Sequence, residues 1–208
     1  MNKQNKTNEP IYLNIGCGST IFPKPWINLD GRDMPGVDCI SGIDKLPFPD
    51  DTFDIVYASH VIEHVKRNDL EAVLKEWVRV TKPDGVVRIA TPDFEKAIEV
   101  YISSDKRIEN ILGLIVGGQS YDYECHYTIF DKRSLSLLME KCGLTAIHPW
   151  TPARVSHGDI WDYSQATTWE IPISLNLEGR KTNNKINGKN IFSTWKQSDP
   201  MGDKIYEK

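Results

Sequence analysis

Three groups of residues have the types and spacing that chemistry needs. The first is Gly16-Cys17-Gly18, directly after the apolar run IYLNI. Two positions without side chains let the backbone pass close to a bulky ligand, although Gly-x-Gly alone also fits a plain tight turn. The second is Asp30, at the end of WINLD. A carboxylate there can accept both hydrogen bonds of a ribose diol. Alone it would read as a turn or cap acid; with the glycines upstream, the ribose reading is the better one. The third is His60-Val61-Ile62-Glu63-His64, after FDIVYA, with His126-Tyr127 further on in a tract (116–128) that could form a wall or lid. A histidine titrating near neutrality is the natural base for a hydroxyl or amine, so His60 and His126 are candidate catalytic residues. Asp93, in TPDFE, is a third candidate that fits equally well as a helix cap. His64 reads as a helix or packing residue pointing away.

These groups need a scaffold that brings them to one place. IYLNI, WINLD, FDIVYA and VVRIAT are short apolar runs rich in β-branched residues, as buried parallel strands are. Leu70, Val73, Leu74, Trp77 and Val78 form the stripe of an amphipathic helix, with Asn68 and Glu71 resembling a capping box and VTKPDG closing it. A second helix is predicted over 131–142, capped by Asp131 and ended by Gly143. IPISLNLEG (171–179) reads as a last strand. The alternation makes the class α/β. In such sheets ligands bind beyond the carboxyl ends of the strands, which is where the glycines, Asp30 and His60 fall. Only STIFPKP separates Gly18 from the next strand, and position 21 is Ile21 rather than a third glycine. There is no room for a regular helix to hold a pyrophosphate, which argues against NAD or FAD and suits a ribose-bearing ligand without phosphate.

The 208 residues fit one domain: a polar tail (1–10), a domain (11–179) and a polar extension (180–208). A net charge of −4 gives no general attraction to nucleic acid or anionic lipid, so neither DNA nor membrane is an expected partner. MNKQNKTNEP has no apolar leader core and no run is long enough to cross a bilayer, so a cytoplasmic location is expected. Cys17, Cys39, Cys125 and Cys142 are scattered without pairing or metal-ligand spacing; they read as reduced thiols, and no metal ligands are assigned.

The ordered set LNIGCG, WINLD, LPFPDDTFDIVYASHVIEHV and WVRVTKPDGVVRIATPDFE resembles the class I S-adenosylmethionine (SAM)-dependent methyltransferases, in particular small bacterial members. The resemblance implies a Rossmann-like fold, mostly parallel with an antiparallel last strand and helices on both faces, and SAM as cofactor. It implies that Gly16, Cys17 and Gly18 flank the methionine and ribose portions of SAM. Asp30 would bind the ribose, Ile43 and Asp44 would lie near the adenine, and Ser59 would lie by the methionine end. Asn14 stands where many members have an acid. Similar proteins are often linked to sugar or polysaccharide modification, which favours a small-molecule or glycan hydroxyl or amine as acceptor. Trp150, Trp161, Tyr163 and Trp169 are candidates to shape the acceptor pocket, with core packing the alternative for at least half of them.

Two alternatives stand beside this one. His60 to His64 matches the HxxEH signature of inverted zinc peptidases, but that signature needs both histidines inside a helix, and FDIVYA ends two residues before His60. A SAM-binding module without catalysis would also account for the unusual first crossover.

Overall fold

The computed structural model describes residues 9–154 and 159–182. Most of the tail and extension inferred above lies outside these residues. A seven-stranded sheet forms the centre, from β1 (Tyr12–Ile15), β2 (Trp26–Asp30), β3 (Cys39–Ile40), β4 (Phe53–Ser59), β5 (Thr81–Pro92), β6 (Leu144–Pro149) and β9 (Ser174–Lys181). The strand order is β3-β2-β1-β4-β5-β9-β6. The first five run parallel, and β9 inserts antiparallel between β5 and β6, as the fold reading expects. Ile171–Pro172 does not begin the last strand. It forms β8, which pairs back on β7 (Thr167–Thr168), and the sheet strand starts at Ser174 and continues to Lys181.

Strand alternation sorts the core into two faces. Leu13, Ile15, Leu29, Val56, Ala58, Val87 and Ile89 share the larger cluster with α1 (Leu70–Val80) and α4 (Lys132–Lys141). Trp26 and Tyr57 point the other way, into an aromatic layer with Phe22 and Trp150. Asp131 caps α4 through a full capping box with Ser134. α1 has Asp69, not Asn68, at its N-cap and no side-chain cap bond. Its end passes directly into β5: Thr81 pairs with Phe53, then the register shifts so that Val86 pairs with Ile55, and Lys82 to Gly85 bulge between. α2 (Phe94–Ser103) packs against α3 (Leu112–Val116) and β8. Among the described residues, no helix is long and apolar enough to cross a membrane.

Buried amides replace a helix in the first crossover. The side-chain amide of Asn14 donates to the Thr20 carbonyl at 3.0 Å and to Asn28 Oδ1 at 3.1 Å. Asn28 in turn exchanges hydrogen bonds with the backbone of Phe22, 2.9 Å each way, and donates to Asp38. These bonds satisfy the loop's polar backbone where no helical ladder exists. Asn14 is therefore a scaffold residue.

Candidate active site

Register places the glycine turn, Asp30 and Ser59 along one edge. Ile15 pairs with Leu29 and with Ala58, so the residues that follow each strand position, Gly16, Asp30 and Ser59, lie in a row at the carboxyl ends. Gly16 and Gly18 both take positive φ, 62° and 52°, a conformation that side chains resist. A Cβ on Gly16 would lie 2.6 Å from Val61 Cγ2, so the turn packs tightly on the segment after β4.

The Gly18 N–H donates to Asp30 Oδ2 at 2.8 Å. Asp30 Oδ1 accepts from the backbone N–H and Nε of Arg32, both at 3.0 Å. Burial alone would raise this carboxyl, but the hydrogen bonds from Arg32 and Gly18 outweigh it and hold Asp30 below the ordinary carboxylate range. The Arg32 guanidinium also lies over the Tyr121 ring, 5.2 Å from its centroid. It covers the carboxylate face that a ribose diol would use. Cys17 is buried, and burial together with the Asp30 charge pushes its thiol up to about 12, so it packs as a neutral group. Ile43 and Asp44 follow β3 at the same edge, and the Ile43 carbonyl accepts from Trp77 Nε1 at 2.9 Å.

Beyond β4 the chain turns sharply. Ser59 Oγ is buried with no hydrogen-bond partner among the described residues. His60 has φ 54°, and its N–H donates to the Ala90 carbonyl. Its Nε2 lies 2.7 Å from Ser174 Oγ, whose hydroxyl donates to the Tyr163 carbonyl at 2.6 Å. That hydroxyl has a single hydrogen, so His60 Nε2–H is the donor and Nδ1 keeps its lone pair, 3.4 Å from Glu63 Oε1. Burial pushes His60 down to about 3. It is neutral and a weak base, unlike the near-neutral base that sequence suggests.

Glu63 is 1% exposed. Its Oε2 accepts from Thr91 Oγ1 at 3.0 Å, while Oε1 has no hydrogen-bond partner among the described residues. Burial raises its carboxyl to about 8. The N–H groups of Tyr127 and Thr128 both donate to the Glu63 carbonyl, which ties the 126–128 segment to this turn. His64 does not point away: its ring meets that of His126, with centroids 4.8 Å apart and planes at 73°. His64 Nδ1 lies 3.1 Å from the Cys125 carbonyl and His126 Nδ1 3.1 Å from the Leu114 carbonyl. Burial lowers both histidines. The sequence pattern gave no signal that His64 and His126 meet.

Asp93 takes the capping role. Its Oδ1 accepts from the Glu95 N–H at the start of α2, and it is not part of the Glu63–His64–His126 group. The inverted-peptidase arrangement does not form, because Ile62–His64 is a single 3-10 turn and His60 lies outside it. Trp150 is core, whereas Trp161, Tyr163 and Trp169 are exposed. Tyr163 stands 5.4 Å from the His60 ring and 5.4 Å from Trp161, centroid to centroid.

A methyltransferase-domain family model matches residues 32–89. Over 115 residues the chain is 33% identical to the ubiquinone/menaquinone biosynthesis C-methyltransferase of Cupriavidus necator, covering 51% of this chain and 45% of that one. Over 99 residues it is 27% identical to the malonyl-[acyl-carrier protein] O-methyltransferase of Yersinia pestis, covering 39% and 36%. The chain thus spans less than half the length of these relatives. Solved structures share the fold. They include the Burkholderia thailandensis 1,6-didemethyltoxoflavin-N1-methyltransferase with bound S-adenosylhomocysteine (TM-score 0.53, 14% identity, 84% of this chain and 72% of that one). Another is a SAM-dependent methyltransferase of Archaeoglobus fulgidus (TM-score 0.52, 14% identity, 84% and 87%). Residues 32–89 thus match a methyltransferase domain, and the fold is the Rossmann-like one of the solved SAM-dependent methyltransferases. The edge described above could accommodate a SAM-like cofactor: an acceptor carboxylate at Asp30, side-chain-free backbone at Gly16 and Gly18, and the buried Ser59 hydroxyl.

Proposed function

We propose that the chain binds SAM along Gly16, Cys17, Gly18, Asp30 and Ser59, with Ile43 and Asp44 beside the adenine. In this reading it transfers the methyl group to a hydroxyl or amine of a small molecule or glycan. The observation that carries this is the hydrogen-bonded unit of Gly18 and Asp30 in the same row as Ser59. SAM supplies an electrophilic sulfonium methyl when bound. Asp30 would take the ribose hydroxyls once Arg32 moves aside, and Ser59 would supply a donor at the methionine end. The acceptor lies against Trp161 and Tyr163, exposed rings suited to the apolar face of a sugar or a flat small molecule. Holding nucleophile and methyl carbon in line at about 3 to 3.5 Å supplies much of the rate. His60, neutral and fixed by Ser174, positions that wall through Tyr163. Four free thiols suit a reducing compartment, so we place the reaction in the cytoplasm.

Calorimetry with SAM tests the donor half: Asp30→Ala is expected to lose about 1.5 to 3 kcal/mol, as for a charged hydrogen-bond acceptor. Unchanged affinity would refute the assignment. Formation of S-adenosylhomocysteine across a panel of sugars, phenols and amines tests the transfer half, and its absence with SAM bound would favour a binding module without catalysis.

A further inference from the structure

We propose that Glu63, His64 and His126 form a binding site for a first-row divalent cation such as Zn²⁺, beside the methyl-transfer edge. One ligand-capable atom from each residue lies within 4.8 Å of the others. Two imidazoles and a carboxylate are the donor set that such cations take, and three protein ligands leave coordination positions open to a small molecule.

Several independent features point to a ligand here. Glu63 is 1% exposed, yet its Oε1 has no hydrogen-bond partner among the described residues. It lies 3.4 Å from the His60 Nδ1 lone pair, longer than a good hydrogen bond, so this buried oxygen is only weakly completed within the described residues. In each histidine Nδ1 donates to a main-chain carbonyl, Cys125 for His64 and Leu114 for His126. In a neutral His126 ring that leaves the lone pair on Nε2, whereas the His64 ring also bonds to the His60 main chain. An outer partner of this kind fixes the tautomer and orientation of metal-bound histidines. Thr91 Oγ1 does the same for Glu63 by holding Oε2 at 3.0 Å. The paired bonds from Tyr127 and Thr128 to the Glu63 carbonyl fix the His126 segment against the turn.

The site is distinct from the HxxEH arrangement, because the ligand group is Glu63, His64 and His126, while His60 is engaged with Ser174 through Nε2 and only borders Glu63 through Nδ1. Its catalytic use rests on the methyltransferase reading. A hydroxyl acceptor bound to the cation through oxygen would lose its proton to water more readily. As the oxygen–methyl bond forms, the carbon–sulfur bond breaks and its electron pair stays on sulfur, giving neutral S-adenosylhomocysteine.

The test is calorimetric titration of tag-free, chelator-stripped protein with Zn²⁺, with Co²⁺ absorption as a second probe. The expected result is one site per chain and a Co²⁺ spectrum without a thiolate charge-transfer band. Glu63→Gln and His126→Gln, each checked for folding by thermal melt, should abolish binding, and Thr91→Val should weaken it about tenfold. No Zn²⁺ binding by the wild type, equal binding in the variants, or a thiolate band overturns the proposal. SAM titration of the same samples separates the two readings. SAM binding without Zn²⁺ binding removes the metal site alone, whereas Zn²⁺ binding without SAM binding removes the methyltransferase reading and leaves the metal site.

Discussion

The Gly18 N–H donates to Asp30 Oδ2 at 2.8 Å, which ties the glycine turn to the tip of β2. Arg32 takes the remaining face of the same carboxylate with Nε at 3.0 Å and Nη2 at 3.5 Å. In the proposed cofactor site, ribose hydroxyls and the guanidinium would compete for the same lone pairs. The Arg32 side chain is 37% exposed, so its ion pair is worth at most about 1 kcal/mol after solvent screening. Arg32→Ala should therefore leave SAM affinity equal or tighten it by up to about fivefold. A clear loss of affinity in calorimetry would show that Arg32 contributes to the cofactor site instead.

Gly16→Ala should destabilise the fold by about 1 to 3 kcal/mol, since the new methyl group meets Val61 at 2.6 Å and the backbone φ is 62°. Thermal melts of Gly16→Ala and of Gly16→Ala combined with Val61→Ala divide the effect. The double variant should relieve the collision and keep the backbone strain. Full recovery in the double variant would mean that φ costs nothing here.

Asp30 sets a pH dependence with a defined sign. Its folded-state pKa lies below the unfolded value of 3.8, because hydrogen bonds to Arg32 and Gly18 outweigh burial. It therefore contributes stability that is fully present above 3.8 and disappears as pH falls through the lower folded value. Urea unfolding of wild type and Asp30→Asn should show a gap that is constant near neutrality and closes in acid. A gap that widens in acid would contradict this linkage.

Arg88 and Glu178 face each other across β5 and β9, with Nη2 to Oε2 at 2.7 Å and Nε to Oε2 at 2.8 Å. Both are largely buried, at 9% and 16% exposure, so removing one leaves the other poorly solvated. Arg88→Met should cost about 3 kcal/mol or more, and replacing both with leucine should cost less than that single change. Chemical denaturation of the three proteins checks the order. A double variant less stable than Arg88→Met would mean that the pair is stabilising overall.

How much of this was legible in sequence depends on range. The strands β1, β2 and β4 and the VVRIAT part of β5 are short apolar runs and read directly, whereas Thr81–Gly85, which reads as a turn, is the start of β5. β3 has only two residues, and β6 (LTAIHP) is an edge strand largely exposed along its length, so neither carries a recognisable period. The apolar run from Ile171 reads as the start of the last strand, whereas Ile171 and Pro172 fold back on Thr167 and Thr168. At the site, Gly16, Gly18 and Asp30 were readable because their position follows from where two strands end. His64 was not. Whether it points away or inward depends on the segment after β4 forming one 3-10 turn rather than a helix, and its partner His126 arrives through hydrogen bonds to the Glu63 carbonyl that no local pattern announces.

The aromatic layer of Phe22, Trp26, Tyr57 and Trp150 has one further consequence. Phe22 belongs to the loop that follows the glycine turn, and its ring lies 5.1 Å from Trp26 and 5.7 Å from Tyr57, while Tyr57 and Trp150 are 5.7 Å apart. A shift of that loop on ligand entry alters the surroundings of two buried indoles. If the proposed cofactor binds at this edge, intrinsic fluorescence of Trp26 and Trp150 would be expected to respond, giving a readout of occupancy without any label.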